Sequence, residues 1–288
     1  MDEQALEIKL GSAMNDSVLF VGDTIIDEYE YVVHMGKSSK EHIIATRYEG
    51  SERFIGGTDA AARHAKTFCK TVSVYSSGNA VRKLRMVDKT YLRKLFEVHY
   101  EEPRKWEKPK PDFSGFDTVV VTDFGHGCIT SDLRDDIEGS AQFLCVNAQT
   151  NSANIGFNLI TKWRADYIVI DEPEARLAAQ DRESPLEKVI EHLSHGRAEK
   201  FVVTRGKDGA VGYDGSFYYS KAMTERVIDT MGAGDAFFSV TAPLAKYLPV
   251  KDLIEIGNAA GALKTQIIGH REAVTLDKLK HYMVNGTT

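Results

Sequence analysis

The fold is most constrained by a repeated pair of segments: a short apolar run that ends in a glycine or polar turn, then a stretch with helical character. The apolar runs lie at 17–22, 72–75, 118–122, 143–146, 167–170 and 201–204, and the helix-like stretches at 58–70, 131–142, 152–163, 174–180 and 185–195. Strands that alternate with helices build βαβ units covered on both faces. We therefore predict an α/β fold with a largely parallel sheet that binds its ligands at the carboxyl ends of the strands.

Two segments, 29–54 and 81–100, depart from this pattern because apolar and polar residues alternate along them. Such alternation predicts half-exposed antiparallel strands. They form either a surface hairpin without a further role or a β-sheet lid over a ligand site, whose apolar face substrate, the main domain or a second subunit must cover. Residues 1–16 are predicted to be an N-terminal extension, 101–111 a connector, and 17–288 one domain.

Charge, cysteine content and hydropathy argue against several classes of protein. The 288 residues carry a net charge of −6 with Lys and Arg scattered, so nucleic acid is not an expected partner. Cys69, Cys128 and Cys145 are widely spaced, which favours buried thiols over a disulfide framework or a zinc site. No apolar run approaches the roughly 18 residues of a membrane span, and the polar start lacks a signal-peptide core. We expect a cytoplasmic protein without membrane contact.

The turn between an apolar run at 227–228 and the apolar stretch that follows has the chemistry of an anion site. Gly232, Ala233 and Gly234 offer backbone N–H groups that no large side chain obstructs. A helix that begins near Asp235 would point its positive end at the same place, after a strand that ends at 227–228. An anion repels the Asp235 carboxylate unless that carboxylate takes a proton from an incoming hydroxyl, so the pattern predicts phosphoryl transfer. The alternative is a glycine-rich helix start with an Asp cap and no chemistry.

Polar residues also follow the other strands, at the edge where parallel sheets bind ligands. Asp23 and Asp27 follow the first strand, and their carboxylates can accept hydrogen bonds from sugar hydroxyls; a charged turn is the alternative. Gly56-Gly57 begins a predicted helix, where paired glycines permit close approach of backbone and ligand. The acidic pair Asp171 and Glu174 supplies hard oxygen donors or caps a helix.

The segment 229–237, Asp-Thr-Met-Gly-Ala-Gly-Asp-Ala-Phe, resembles position for position the C-terminal signature of the ribokinase-like (PfkB) carbohydrate kinases. Gly56-Gly57 is similar to the N-terminal signature of that family, and matches run in the family's order over about residues 18–275. The resemblance implies a ribokinase-like three-layer α/β sandwich, with a mostly parallel central sheet and a small β-sheet lid. It also implies an enzyme, a phosphotransferase with an alcohol group as acceptor.

Within that family the chain looks nearest to the heptose-phosphate kinases, the kinase domain of bifunctional heptose enzymes, because of Gly22-Asp23, Thr122-Asp123 and Lys83-Leu-Arg85. It departs from the family on the acceptor side. Ala60 follows the glycine pair where an Asn is usual, and Asn147 begins Asn-Ala-Gln where relatives have Asp-Pro-Lys. The resemblance thus defines the reaction better than the substrate.

The resemblance implies a role for each candidate residue. Asp235 accepts the hydroxyl proton, and the backbone amides of Gly232, Ala233 and Gly234 offset the charge on the transferring group. The other implied positions are Asp23, Asp27, Gly56, Gly57, Asp59, Asp123 and Asn147 for the sugar, Thr204, Gly206, Gly209 and Asn258 for the nucleotide, and Asp171 with Glu174 for magnesium through water.

The implied cofactors are ATP and Mg²⁺, with a monovalent cation as an optional third. The implied partners are a sugar or sugar-phosphate substrate and a second copy of the chain, in a homodimer through the lid. Lys37, Lys40, Arg85 and Arg93 are lid candidates for holding a sugar phosphate. Two alternatives stay open: a kinase for a nucleoside or another small molecule, and a catalytically silent subunit that binds nucleotide or sugar.

Overall fold

The computed structural model describes residues 3–78, 81–101, 106, 108–152, 154–224 and 226–286. In chain order its helices and strands are α1 (Glu3–Gly11), β1 (Ser17–Gly22), β2 (Thr24–Lys37), β3 (Ile44–Gly56), α2 (Gly57–Ala65), β4 (Thr71–Ser76), β5 (Val81–Asp88), β6 (Arg93–Tyr100), β7 (Thr118–Asp123), α3 (Ser131–Ser140), β8 (Leu144–Ala148), β9 (Tyr167–Asp171), α4 (Glu172–Ala179), α5 (Leu186–Ser194), β10 (Lys200–Thr204), β11 (Ala210–Tyr213), β12 (Phe217–Ser220), α6 (Ala233–Leu244), α7 (Val250–Lys264) and α8 (Leu276–Asn285).

Within these residues, eight strands form a large sheet in the order β12-β11-β10-β9-β8-β7-β1-β4. The pairs from β4 to β10 are parallel, and a hairpin of β11 and β12 extends the sheet antiparallel to β10. Successive strand residues face opposite cores. Phe20 and Val120 lie in the core that contains residues of α1, α2, α6, α7 and α8, whereas Leu19 and Val121 lie in the core formed with α3, α4 and α5. The sandwich of three layers is confirmed.

A smaller sheet has the strand order β3-β2-β5-β6. The β2-β3 and β5-β6 pairs are antiparallel, while β2 and β5 run parallel. Because β1 ends at Gly22 and β2 begins at Thr24, the small sheet grows directly out of the carboxyl edge of the large one. The predicted small sheet is therefore present, at the edge where the sequence placed the ligand site.

Two local predictions were wrong. Residues 152 and 154–163 form turns and one short 3₁₀ helix, Ile160–Lys162, rather than a continuous helix. Gly156 has a φ of 80°, and the Asn154 side chain donates to the carbonyl oxygen of Phe124 at 2.9 Å, so turn and loop contacts replace helical ones. Residues 227–228 are irregular and exposed rather than the end of a strand, because the backbone N–H of Ile228 donates to Thr265 at the end of α7.

The segment before the first strand contributes to the core. It contains α1, whose Leu6 and Leu10 are buried in the same cluster as Leu279 and Tyr282 of α8. The sequence pattern did not identify α1 or the hairpin β11-β12. Among the described residues, no helix has the length and apolar character that crossing a bilayer requires.

Buried His64 of α2 makes stability depend on pH. Its Nδ1 accepts the backbone N–H of Val274 at 3.0 Å, and burial, with the nearby Lys264, lowers its pKa to about 3. Between pH 6.5 and 3 the unfolded chain binds a proton that the folded chain does not, so the free energy of unfolding falls as pH falls.

We expect His64→Asn, which keeps an acceptor for Val274, to flatten the fall in melting temperature from pH 6.5 to 4, because it removes a slope of up to about 1.4 kcal/mol per pH unit. The control is His281→Asn, on the exposed side of α8. Melting curves across this pH range check the expectation. Equal slopes for His64→Asn and the unchanged chain would contradict it.

Candidate active site

The predicted anion-binding turn forms the amino end of α6. Gly232 caps the helix in the left-handed conformation, with a φ of 72°, and α6 begins at Ala233. The amides of Ala233 and Gly234 belong to the first turn, whose N–H groups have no partners within the helix. The Ala233 N–H donates to the carbonyl oxygen of Thr230 at 3.3 Å. The Asp235 carboxylate lies in the same turn and is partly accessible. The helix start and the carboxylate thus come together as the sequence predicts.

An amide side chain positions the Asp235 carboxylate. Gln149, in the loop after β8, donates through Nε2 to Oδ1 of Asp235 at 2.5 Å and to Oδ1 of Asn147 at 3.0 Å. Asn147 is itself held by donation from its Nδ2 to Val169 at 2.8 Å. Burial raises the pKa of Asp235, although the nearby His270, the Gln149 hydrogen bond and Lys264 act in the opposite direction. A raised pKa strengthens this carboxylate as a proton acceptor.

Across from Asp235, the lid brings a carboxylate and two cationic side chains together. Asp27 of β2 forms a buried ion pair with Arg85 of β5, and its Oδ2 lies 3.4 Å from Nε2 of His270. Burial opposes ionisation of Asp27, but the His270 hydrogen bond and the Arg85 charge outweigh it and lower the pKa. Lys83 lies two residues before Arg85 on β5, on the same face of the sheet, and is buried. This cluster presents positive groups beside the predicted sugar carboxylate.

The glycine pair is tightly packed against the first predicted acids. A Cβ on Gly56 would lie 2.2 Å from Oδ2 of Asp27, and one on Gly57, whose φ is 61°, would lie 2.4 Å from the carbonyl oxygen of Asp23. Asp23 is buried at the β1-β2 junction. Asp59, in the first turn of α2, accepts the Thr24 hydroxyl at 3.2 Å. Backbone and carboxylates therefore approach closely at this edge.

Asp123 has local partners for both carboxylate oxygens. Its Oδ1 accepts the backbone N–H of Gly125 at 3.0 Å, and its Oδ2 accepts the indole N–H of Trp163 at 3.1 Å. Burial raises the pKa of Asp123. These bonds tie the loop after β7 to the segment before β9, and the sugar contact of Asp123 stays a prediction.

A cavity of about 410 Å³ lies on the other side of the α6 amino end. The loop between β10 and β11 lines it with the predicted Thr204, Gly206 and Gly209, and α7 lines it with Asn258, Gly261 and Ala262. Ala233, Gly234 and Phe237 of α6, and Asp171, also line it. Asn258 is anchored, since its Nδ2 donates to the Ser220 carbonyl at 3.1 Å and to the hydroxyl at 2.9 Å. The four predicted nucleotide residues thus share one cavity with the anion-binding turn.

The predicted magnesium pair forms the capping box of α4. Oδ1 of Asp171 accepts the N–H of Glu174 at 2.7 Å, and Oε2 of Glu174 accepts the N–H of Asp171 at 2.9 Å. Burial raises the pKa of both, and the Asp171 and Asp235 charges raise that of Glu174 further. In the described part of the chain, no three His, Cys, Asp or Glu residues are placed to hold a metal by themselves. The mutual repulsion of these hard donors suits a hydrated Mg²⁺.

Comparison with known proteins gives the family. Residues 143–276 match the model described as "pfkB family carbohydrate kinase". This part of the chain is similar to the PfkB carbohydrate kinases. The match includes α6 and the turn at Gly232, and it confirms the family predicted from the sequence.

Relatives extend the likeness to the rest of the chain. The 2-dehydro-3-deoxygalactonokinase of Haloferax volcanii is 36% identical over 31% of this chain and 28% of its own length. The bifunctional protein HldE of Wolinella succinogenes is 23% identical over 92% of this chain and 64% of its own length. The chain therefore matches less than two thirds of either relative. The crystal structure of ribokinase from Thermotoga maritima superposes with a TM-score of 0.72 at 16% identity, over 94% of this chain and 100% of that one. This likeness confirms the ribokinase-like fold.

Several residues of the site were not predicted from the sequence. Lys264 ends α7 and His270 follows that helix, both at positions without any motif. Lys83 was named only as part of the family resemblance. Gln149 lies two residues after the predicted Asn147, but the sequence pattern indicated no role for it. Of the lid candidates, Arg85 is in the cluster with Asp27, whereas Lys37, Lys40 and Arg93 are exposed and belong to no described contact with it.

Proposed function

We propose that this protein is an ATP-dependent kinase that transfers the γ-phosphoryl group to a hydroxyl of a sugar or sugar phosphate. One observation carries the proposal. The Asp235 carboxylate lies in the first turn of α6, whose residues Ala233 and Gly234 line the predicted nucleotide cavity on one side, while the lid cluster lies on the other. A hydroxyl held next to Asp235 is thus positioned between its proton acceptor and an anion-binding helix start.

Each part of the site has its own role in the proposed reaction. Asp235, oriented by Gln149, accepts the proton of the attacking hydroxyl. The amides of Ala233 and Gly234 stabilise charge on the transferring group. Asp171 and Glu174 would hold Mg²⁺ through water, and the ion would supply charge neutralisation at the phosphates. The loop at 204–209 and α7 bind the nucleotide. The phosphoryl group passes in line from ATP to the hydroxyl, and no covalent intermediate forms on the protein.

The acceptor side favours a substrate with an anionic group. Buried Lys83 and partly buried Arg85 lie beside Asp27. The negative charge of an incoming phosphate or carboxylate would be balanced by these two cations. This supports a sugar phosphate of the heptose-phosphate kind. A sugar acid shares the same negative charge, which the name of the Haloferax volcanii relative suggests. Both substrates require the same Asp235 chemistry.

A panel of acceptors tests the proposal. ATP consumption is measured with neutral sugars, sugar phosphates, sugar acids and nucleosides, in the presence of Mg²⁺. We expect stimulation by an anionic sugar and little by its neutral parent. Stimulation by a nucleoside would favour the alternative kinase. Tight ligand binding without turnover by any acceptor would favour a silent binding subunit and contradict the proposal.

The nucleotide cavity gives a separate prediction. A Cβ on Gly261 of α7 meets only the Ala233 carbonyl oxygen, at 3.5 Å, so a leucine fits the helix and projects its branched end into the cavity. We expect Gly261→Leu to raise the KM for ATP by about 10- to 100-fold and to change kcat much less. Initial rates against ATP concentration check this. Gly139→Leu, on the exposed side of α3, is the control, and equal KM values for the two variants would contradict the prediction.

Homodimerisation through the lid and a cytoplasmic location stay predictions. The lid exposes Ile44, Tyr48 and Phe96, with 70%, 59% and 58% of their surfaces accessible, which supports burial of this face against a second copy. Cys69, Cys128 and Cys145 are free and buried, in keeping with a reducing compartment.

A further inference from the structure

Lys264, at the carboxyl end of α7, is an unusual charged side chain because none of its surface is accessible. Its ammonium has three N–H donors, and the structure provides three acceptors, all of them backbone carbonyl oxygens. The distances from Nζ are 2.8 Å to Met231, 2.6 Å to Gly269 and 3.5 Å to Ile267. Within the described residues, Lys264 forms no ion pair with a carboxylate. A buried ammonium held by carbonyl oxygens has the ligand set by which proteins bind free monovalent cations.

The Asp229 carboxylate completes the arrangement. Its Oδ1 accepts the N–H of Met231 at 3.1 Å, and its Oδ2 accepts the N–H of Gly269 at 2.9 Å. At both Met231 and Gly269, therefore, the Asp229 carboxylate accepts the backbone N–H and the Lys264 ammonium donates to the backbone carbonyl oxygen. The two charges cross-link the segment 229–231, just before the anion-binding turn, to the segment 267–269 after α7. Burial lowers the pKa of Lys264, and the charges of Asp229 and Asp235 oppose that effect.

This cross-link lies directly behind the catalytic turn. A Cβ on Gly232 would be 3.3 Å from Cε of Lys264, so the lysine chain packs against the residue that caps α6. Met231, whose carbonyl the ammonium binds, precedes that residue in the chain. The orientation of the amides at Ala233 and Gly234 therefore depends on a contact that Lys264 makes.

We propose that the Lys264 ammonium is a built-in monovalent cation that fixes the anion-binding turn, so that this protein needs no free K⁺ or similar ion. The carbonyl oxygens of Met231, Ile267 and Gly269 do not fit a free cation while the ammonium binds them, because a second positive charge at the same oxygens would be repelled by the first. Lys264 is thus a positioning residue: it acts through the turn, and touches neither nucleotide nor acceptor. The turnover part of this inference rests on the proposed function, whereas the stability part does not.

Four forms of the protein test the proposal in choline, potassium and ammonium chloride at equal ionic strength. Lys264→Ala removes the ammonium and leaves room for an ion, whereas Lys264→Met removes the charge but fills the space. Lys200→Ala is the matched control, because Lys200 also donates to backbone carbonyls, those of Ala245 and Leu248, at the start of β10 and away from the site. The fourth form is the unchanged chain. Melting temperature and turnover are both measured.

We expect the unchanged chain to melt and turn over alike in all three salts. In choline, the turnover of Lys264→Ala should be about 100-fold lower than that of the unchanged chain, because the turn is displaced. Ammonium or potassium should raise the turnover of this variant by about tenfold or more. Either ion should also raise its melting temperature, because it binds the folded state. Lys264→Met should stay impaired in every salt. Lys200→Ala should melt lower with no response of turnover to the cation.

Two results would overturn the proposal. One is a requirement of the unchanged chain for K⁺ or NH₄⁺, which is measurable even where Lys264→Ala fails to fold. The other is a Lys264→Ala protein whose melting temperature and turnover respond to these ions no more than those of Lys264→Met. If no acceptor supports turnover, the melting temperatures alone decide, and the failure then belongs to the proposed kinase function.

Discussion

Asp235→Asn is expected to lower kcat by about 10²- to 10⁴-fold and to leave the affinity for ATP close to that of the unchanged chain. Asparagine has the same shape and keeps an oxygen that can accept the Gln149 hydrogen bond, which is 2.5 Å long in the structure. It cannot take a proton from a hydroxyl, so only the rate of the chemical step should fall. Turnover with the acceptor found in the panel, and calorimetric binding of ATP, provide the two measurements.

The stability of this variant adds a second readout. Burial raises the pKa of Asp235, which means that the folded protein holds a carboxylate in a place that disfavours its charge. A neutral side chain relieves that cost, so we expect Asp235→Asn to melt at or above the temperature of the unchanged chain. Loss of turnover at undiminished stability separates a catalytic role from a structural one.

The control is Asp277→Asn, which makes the same change in the first turn of α8, on an exposed residue. It should leave turnover unchanged. If Asp235→Asn kept turnover within about tenfold of the unchanged chain, a margin well below a general-base contribution, Asp235 would not be the proton acceptor.

Gly232→Ala is expected to lower both stability and turnover, the latter by about 100-fold. Gly232 has a φ of 72°, a conformation that costs an L-residue roughly 1–2 kcal/mol. A new Cβ would also lie 2.9 Å from Cε1 of His270 and 3.3 Å from Cε of Lys264. The cap of α6 must move to relieve these contacts, and its amides move with it.

Gly196→Ala is the control that adds backbone strain without displacing the cap of α6. Gly196 has a φ of 64°, similar to that of Gly232, but a Cβ there meets nothing within 4 Å, and the residue follows α5 away from the site. We expect it to lower the melting temperature through strain alone, with turnover unchanged. Equal turnover of Gly232→Ala and Gly196→Ala would show that the position of the cap does not matter for catalysis.

The strands of the large sheet were predictable because they are buried on both faces. Each of the six apolar runs that precede residue 205 is found in the large sheet, and β7 and β8 are buried at every position. A strand between two helical layers cannot carry exposed polar side chains, so its sequence is a continuous apolar run. The hairpin β11-β12 has no such run. Its Gly212 is small because a Cβ would meet Val250 of α7 at 2.1 Å, a contact that only the packed fold reveals.

The candidate site was predictable in part, for a similar reason. The turn at 232–235 combines glycines, a left-handed cap and a carboxylate within four residues, so its chemistry is local and the sequence shows it. The position of the site at the carboxyl ends of the strands was also predictable, because it follows from the alternation of strands and helices. The cluster of Asp27 with Arg85 and His270 joins residues that are 58 and 243 positions apart in the chain, and no local pattern could have brought them together.

The sequence by itself therefore determined the α/β architecture, the family and the glycine-rich turn at the start of α6, since each depends on residues that are neighbours in the chain. The tertiary structure alone decided what surrounds that turn. Gln149 orients the acid, Arg85 pairs with Asp27 before any substrate arrives, and Lys264 closes a cross-link behind the turn. A buried charge is stable only where the fold supplies its partners, and those partners come from distant segments, so its role follows from packing rather than from spacing.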